Sequence, residues 1–289
     1  MERRTFCKNT SLALATGSLA QLSLSAQEGK PEVKPQNRGK IYKAVKLGRN
    51  TNREHLEKIR SLGFDGVEPL APGFQDPQGL VQMCKSLGLR VHGVVDAVHW
   101  KQRLSSPNEE TREAGIKGLE DAIRAASDIG AGSVLLVPGR VTGEEESHDH
   151  VWKRSIEGIR AVLPLATRLD IRILLETVWN GFCETPELFR DYLDEINSPW
   201  VGAYYDIGNM QKFRASHEWI RILGTRTIKL DVKDWGVKNG FCRLGEGDVD
   251  WKAVRTELDK IGFTGWATRE GRDKDIEDTA KLMNELLGL

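Results

Sequence analysis

From Ile41 to Glu270 one alternation repeats eight times, and that repetition constrains the fold more than any single motif. Short apolar or β-branched runs lie at residues 41–47, 66–69, 90–95, 133–137, 171–176, 201–206, 227–233 and 265–270. Between them apolar residues recur at spacings of three and four, as in Leu56, Ile59 and Leu62, then Leu80, Met83 and Leu87, then Ile116, Leu119, Ile123 and Ile129. This is the period of a helix with one buried face. Several segments stop at a glycine, namely Gly63, Gly88, Gly130 and Gly262, as helices do when they end in a left-handed residue. Strands alternating with helices predict parallel pairing with right-handed crossovers, and eight such units close a (β/α)8 TIM barrel. A doubly wound open sheet is the alternative, but no G-x-G-x-x-G follows the first strand, so a dinucleotide site has no support.

A chain of 289 residues accommodates one such barrel over residues 41–289. Lysine plus arginine and aspartate plus glutamate number 42 each, so no net field attracts nucleic acid, which argues against that class of partner. Ahead of the barrel, Arg3-Arg4, Phe6 and Lys8 precede a weakly apolar stretch to Ala26, too short to span a bilayer. Residues 1–26 resemble a twin-arginine export signal, and the polar residues 27–40 read as a linker. The expectation is a periplasmic or otherwise exported protein that folds around its cofactor first; an amphipathic N-terminus is the alternative. No later segment is apolar enough to cross a membrane. Cys7 leaves with the signal, and Cys84, Cys183 and Cys242 form no C-x-x-C, so buried free thiols are expected.

In a barrel strand, alternate side chains face the helices and the barrel interior. Ile228, Leu230 and Val232 alternate with Lys229, Asp231 and Lys233; a helix-packed face cannot accept the charged set, so it points inward. The same alignment places Leu174 with Glu176, Tyr204 with Asp206, and Trp266 and Thr268 with Glu270. Each acid falls at the C-terminal rim, where barrel enzymes build active sites. Four converging carboxylates repel one another unless a cation sits among them, and all-oxygen ligation favours Mn²⁺ or Mg²⁺ over zinc. Plainer readings stand beside this one. Asp206 precedes Ile-Gly-Asn and has the plainer reading of a helix N-cap, and Lys229 and Lys233 could neutralise Asp231 without any metal. Candidates for lining a sugar pocket are His92, His99 and Trp100, with Trp100 and Trp179 as apolar floors; His92 reads as readily as a core histidine. Lys233 is a candidate donor to a substrate oxygen, or a neutraliser of Asp231 and Asp234. Glu68 is a substrate contact or the cap of the following turn. His148 and His150 lie in an acidic loop and are expected to be solvated.

The stretches Leu174-Leu175-Glu176-Thr177-Val178-Trp179-Asn180-Gly181-Phe182, Tyr205-Asp206-Ile207-Gly208-Asn209, Asp231-Val232-Lys233-Asp234 and Leu244-Gly245-Glu246-Gly247-Asp248-Val249-Asp250-Trp251, ahead of Gly262-Phe263-Thr264-Gly265-Trp266 and Glu270, carry a resemblance. From about residue 45 to 287 the chain resembles the sugar-phosphate isomerase/epimerase superfamily of xylose isomerase-like barrels, which includes hydroxypyruvate isomerases and ketose 3-epimerases. The resemblance implies a metal held by a Glu, an Asp, a His and a Glu after strands five to eight. Glu176, Asp206 and Glu270 match, but the family's H-x-K-D reads Asp231-x-Lys233-Asp234 here. Asn209 stands where epimerases commonly place a substrate-binding His, and Phe182 where they often have a second acid. The implied chemistry is proton transfer beside a carbonyl through an enediolate, on a small carbohydrate, with Glu176 and Glu270 as the proton-transferring pair, Asp206 holding the cation and Asp231 as a fourth ligand. A homo-oligomer is left open. The rival activity is a 3-keto-glycoside lyase or hydratase, which export favours; a non-catalytic sugar-binding barrel is the reading from another class, supported by the His-to-Asp change. A metal-dependent endonuclease lacks the histidines and the basic face it needs.

Overall fold

The computed structural model describes residues 38–271 and 275–289. The expected export signal over residues 1–26, and the linker up to residue 37, lie outside the described residues. The strands are β1 (Ile41–Lys46), β2 (Gly66–Glu68), β3 (Leu70–Ala71), β4 (Arg90–Val91), β5 (Val94–Asp96), β6 (Ser133–Leu136), β7 (Arg172–Glu176), β8 (Val201–Asp206), β9 (Thr227–Val232), β10 (Asp234–Gly236), β11 (Gly240–Cys242) and β12 (Gly265–Arg269). The helices are α1 (Arg53–Ser61), α2 (Pro77–Ser86), α3 (Glu109–Asp128), α4 (His148–Leu169), α5 (Pro186–Ile196), α6 (Ile207–Gln211), α7 (Ser216–Leu223), α8 (Trp251–Lys260) and α9 (Ile276–Leu287).

The main sheet runs β3-β5-β6-β7-β8-β9-β12-β1-β2-β4, and its pairs are parallel. Its two ends are halves of the same staves. β2 and β3 form the second stave, β4 and β5 the third, and the pairs β2–β4 and β3–β5 close the row into an eight-stave barrel. Pro69, between β2 and β3, has no N–H for the ladder. The third stave breaks at His92-Gly93 for a different reason. A Cβ on Gly93 would stand 2.4 Å from Glu68 Oε1 and 2.5 Å from Lys229 Nζ, so the bare backbone makes room for a buried ionic group.

The expected alternation holds. Ile173, Leu175, Tyr205, Leu230, Val232 and Ala267 join the large core between staves and helices, whereas Leu174 and Tyr204 join Val95 and Leu135 in a small cluster of their own. The rest of the interior is polar. Tyr204 Oη donates to Glu68 Oε2 at 2.7 Å, and Lys229 Nζ lies 3.4 Å from Glu68 Oε1 and 2.7 Å from His92 Nδ1. The His92 ring stacks on Trp266 at 4.3 Å. A buried charge is tolerable only when paired in this way.

Side chains of Asn52, Asp76, Asn108, Ser147, Thr185 and Asp250 cap the helices that follow them. Gly63, Gly88, Gly130 and Gly262 all take positive φ at the expected stops. Cys84 and Cys183 are buried free thiols, and Cys242 is half-buried. No helix among the described residues is long and apolar enough to cross a membrane.

One element was not expected from the sequence. β10 and β11 form an antiparallel hairpin directly after β9. Its base is pinned by Asp234, whose Oδ2 accepts from Gly245 N–H at 2.7 Å and from Trp251 Nε1–H at 2.9 Å.

Candidate active site

Strand register brings the four acids to one place. Asp206 pairs with Asp231 across β8 and β9, Glu176 is level with Tyr204, and Thr268 is level with Asp231. The two aspartates therefore stand side by side, and the longer glutamates reach the same point from one step below and one step above. One oxygen from each of Glu176, Asp206, Asp231 and Glu270 lies within 4.8 Å of the others. The first three residues are buried, and the Glu270 side chain is one-third exposed.

At 4.8 Å, two like charges repel by roughly 3–4 kcal/mol at an effective dielectric of about 20, so four bare carboxylates need compensation. Part of it comes from two lysines. Lys46, the last residue of β1, places Nζ 2.7 Å from Asp231 Oδ2 and 2.5 Å from Glu270 Oε2. Lys233 Nζ lies 2.9 Å from Asp206 Oδ2 and 3.2 Å from Glu270 Oε2. Asp231 is thus paired with Lys46, and not with Lys229 or Lys233 as the sequence suggested. Lys229 turns away to Glu68 and His92.

Four carboxylates and two ammonium groups leave two negative charges, and the ionisation of the acids follows from that surplus. Burial lifts the Glu176 carboxyl to about 8 against the pull of Lys46. Burial likewise holds Asp231 well above the usual carboxylate range and raises Asp206, whose strongest opposing influence is Lys233. For Glu270 burial is outweighed by Lys46 and Lys233, and its carboxyl falls to about 2. Without an ion, burial and mutual repulsion thus favour proton uptake by this group of acids, Glu176 among them. Two oxygens remain under-used. Asp231 Oδ1 has no hydrogen-bond partner, and Asp206 Oδ2 has only the ion pair with Lys233, without hydrogen-bond geometry. Oxygen-only donors, an orphaned buried oxygen and a surplus of two negative charges fit a hard divalent cation. Asp206 satisfies both of its sequence readings, because Oδ1 caps α6 by accepting from Asn209 N–H at 2.8 Å while Oδ2 faces the cluster.

The remaining residues sort by position. His99 is buried, and its Nδ1 accepts from Val137 N–H at 3.3 Å, which puts the ring proton on Nε2. Burial, reinforced by Lys46, lowers its pKa to about 3, so it is a neutral donor. Trp100 is 48% exposed and meets His99 edge-on at 5.4 Å. Trp179 donates Nε1–H to Asn209 O at 2.6 Å, its ring stacks on Phe241 at 4.8 Å, and Lys212 Nζ stands 4.4 Å from its centroid. The Asn209 amide donates to Thr177 O at 3.0 Å, tying down the turn after β7. Glu68 and His92 are bound to Lys229 in the barrel interior rather than to the carboxylate cluster. His150 is exposed and His148 half-buried.

Two residues at this rim were missed from the sequence. Lys46 follows Tyr42 and Ala44 in the inward parity of β1, a signal present but unread. Phe241, 52% exposed on the hairpin, comes within 5.9 Å of Lys233 Nζ. Beside it, Lys233 and Glu270 open onto a cavity of about 750 Å³ also lined by Arg243, Arg269 and Asp278. Another cavity, around Arg90 and Trp266, touches none of the four acids.

Comparison with known proteins agrees with the fold. The family described as xylose isomerase-like TIM barrel matches residues 56–287. L-ribulose-5-phosphate 3-epimerase UlaE of Escherichia coli strain K12 is 24% identical over 242 residues, which span 78% of this chain and 84% of that enzyme. A solved D-tagatose 3-epimerase-like protein has a TM-score of 0.74 at 21% identity, over 86% of this chain and 97% of that one. The 3-keto-D-glucoside 4-epimerase YcjR from E. coli has a TM-score of 0.72 at 17% identity, over 86% of this chain and 100% of that one. These relatives are sugar epimerases, isomerases in the broad sense. The chain belongs to the xylose isomerase-like TIM barrel family.

Proposed function

We propose that this chain is a divalent metal-dependent sugar isomerase or epimerase that moves a proton at a carbon beside a carbonyl, and that it is exported through the twin-arginine route. The observation that carries the activity is the convergence of four carboxylate oxygens within 4.8 Å at the strand-end rim, two of them under-used. When bound, a divalent ion, Mn²⁺ or Mg²⁺ by the donor set, polarises the substrate carbonyl and acidifies the neighbouring C–H. Glu176, Asp206 and Asp231 would hold it together with Glu270. Glu270 Oε2 is clamped by Lys46 and Lys233, which fixes the carboxylate and presents Oε1 to the substrate. Glu176, on the stave three places round, faces it from the other side of the cluster, so the two glutamates flank the carbon that loses and regains its proton. Lys233 and the Nε2–H of His99 are positioned to donate to substrate oxygens. Trp179 and Phe241, stacked on each other, would form an apolar wall on the exposed side, with Trp100 adding an apolar face beside His99.

The test is incubation of the Mn²⁺-loaded protein with ketoses in D₂O, followed by NMR. Deuterium should enter at the carbon beside the carbonyl as the isomer forms. Glu270→Gln should lower the rate by about 100-fold or more with the fold retained by circular dichroism; full retained activity would remove Glu270 from proton transfer. Export is tested by fusing residues 1–40 to a reporter and replacing Arg3 and Arg4 by lysine, which should abolish translocation.

Elimination from a 3-keto-glycoside, the second reading, begins with the same proton abstraction. Arg243 in the cavity lining is already held by Asp278 at 2.6 Å and by Glu246 at 3.4 Å, which suits an unphosphorylated substrate under either reading. Analysis of the products separates an epimer from an unsaturated sugar and a released aglycone.

A further inference from the structure

Lys46 is used by neither the fold's apolar packing nor the ligand set, yet like Lys233 it is paired with two of the four acids at the rim. Its side chain is 17% exposed, its ammonium contacts two of the four acids, and the ring of the buried Tyr204 lies 5.4 Å beneath it. Asp231 divides its oxygens unequally. Oδ2 is bound by Lys46 at 2.7 Å, whereas Oδ1 is buried and accepts from no N–H or hydroxyl donor, the Asp231 carboxyl having besides the lysine only Glu270 within hydrogen-bonding reach. One oxygen is therefore committed to the lysine, and the other is left for a cation.

We propose that Lys46 is a positioning residue that works with Asp231 as a single unit: the ammonium cancels the charge that the aspartate brings, and the pair together sets how tightly the rim holds a divalent ion. This rests on the metal-dependent reading above. The argument is one of charge. With Lys46 and Lys233 present, the four acids leave two negative charges, the complement of one divalent cation. Removing the lysine alone leaves three, and neutralising the aspartate alone leaves one. Two changes that each disturb the site in opposite directions should cancel when combined, because both residues act on one balance.

The experiment is isothermal titration of the full chain with Mn²⁺, at about pH 8, where the ligands give up their protons readily. It compares wild type, Lys46→Met, Asp231→Asn and the double variant. Lys46→Met should bind the ion about tenfold more tightly or better, Asp231→Asn about tenfold more weakly, and the double variant within about threefold of wild type. Lys46→Arg should stay near wild type, and Lys46→Gln provides a second neutral replacement should the methionine variant fold poorly. A double variant that binds more than about threefold more tightly or more weakly than wild type, or weaker binding in Lys46→Met and Lys46→Gln, would overturn the proposal while leaving the metal-dependent reading intact. Binding by Lys46→Met but not by wild type would also overturn it, since the ammonium would then occupy the ion's place. Absence of binding in every protein would sink the metal-dependent reading together with this one.

Discussion

Loading the ion-free protein with Mn²⁺ should release at least about one proton per chain near pH 7. Glu176, with its carboxyl lifted to about 8, is roughly nine-tenths protonated at that pH. Burial also holds Asp231 well above the usual carboxylate range, which acts in the same direction. Asp206 is raised in the same sense, which can only add to the release. A cation binds the ionised oxygens, so bound protons must leave. The sign is fixed: affinity rises with pH, by about tenfold per pH unit for each proton displaced. The assay is isothermal titration in buffers of contrasting ionisation enthalpy, where the slope of the observed heat counts the protons. Release well under one proton, with affinity flat between about pH 6 and 8, would refute the reasoning, because the acids would then be ionised without an ion or the ion would bind elsewhere.

Stability of the ion-free protein should follow the same groups. Glu176 has its folded value raised from 4.5 to about 8, so the stability it lends is complete below the lower value and is lost as pH climbs through the upper one. Thermal melts should therefore fall between about pH 5 and 8 without ion and flatten with saturating Mn²⁺; a melt that rises over that range would contradict the burial argument. Gly93→Ala should cost about 1–3 kcal/mol in urea unfolding, since its Cβ would meet Glu68 Oε1 at 2.4 Å and Lys229 Nζ at 2.5 Å. Unchanged stability would show that the ionic group relaxes freely.

The barrel and its acids were readable because β9 is unambiguous. Three charged residues share one parity in a strand whose other face packs against helices, and only an inward direction is tolerable. The same rule failed to single out Lys46 because β1 carries a lysine on each face. Lys43 lies on the helix side, where it donates to Leu62 O and Asn284 Oδ1 at 2.9 Å each, so charge alone does not identify the inner face of that strand. The hairpin had a local signal, Asn239-Gly240, with Gly240 at φ 63°, which the reading of residues 227–233 as a single strand end passed over. Asp206 could not be assigned to one role because its two oxygens serve different ends. The interruption at His92-Gly93 depends on Glu68 and Lys229 arriving from staves distant in the chain, and no local pattern encodes such a meeting.

Asp234 anchors the β10–β11 hairpin to Gly245 and Trp251 and belongs to none of the four acids. The tip beyond it, Val237 at 83% and Phe241 at 52% exposure, overhangs the cavity from a separately fastened arm. Selectivity for what enters can therefore drift or be engineered by rewriting that arm, while the proton-handling machinery at the staves stays as it is.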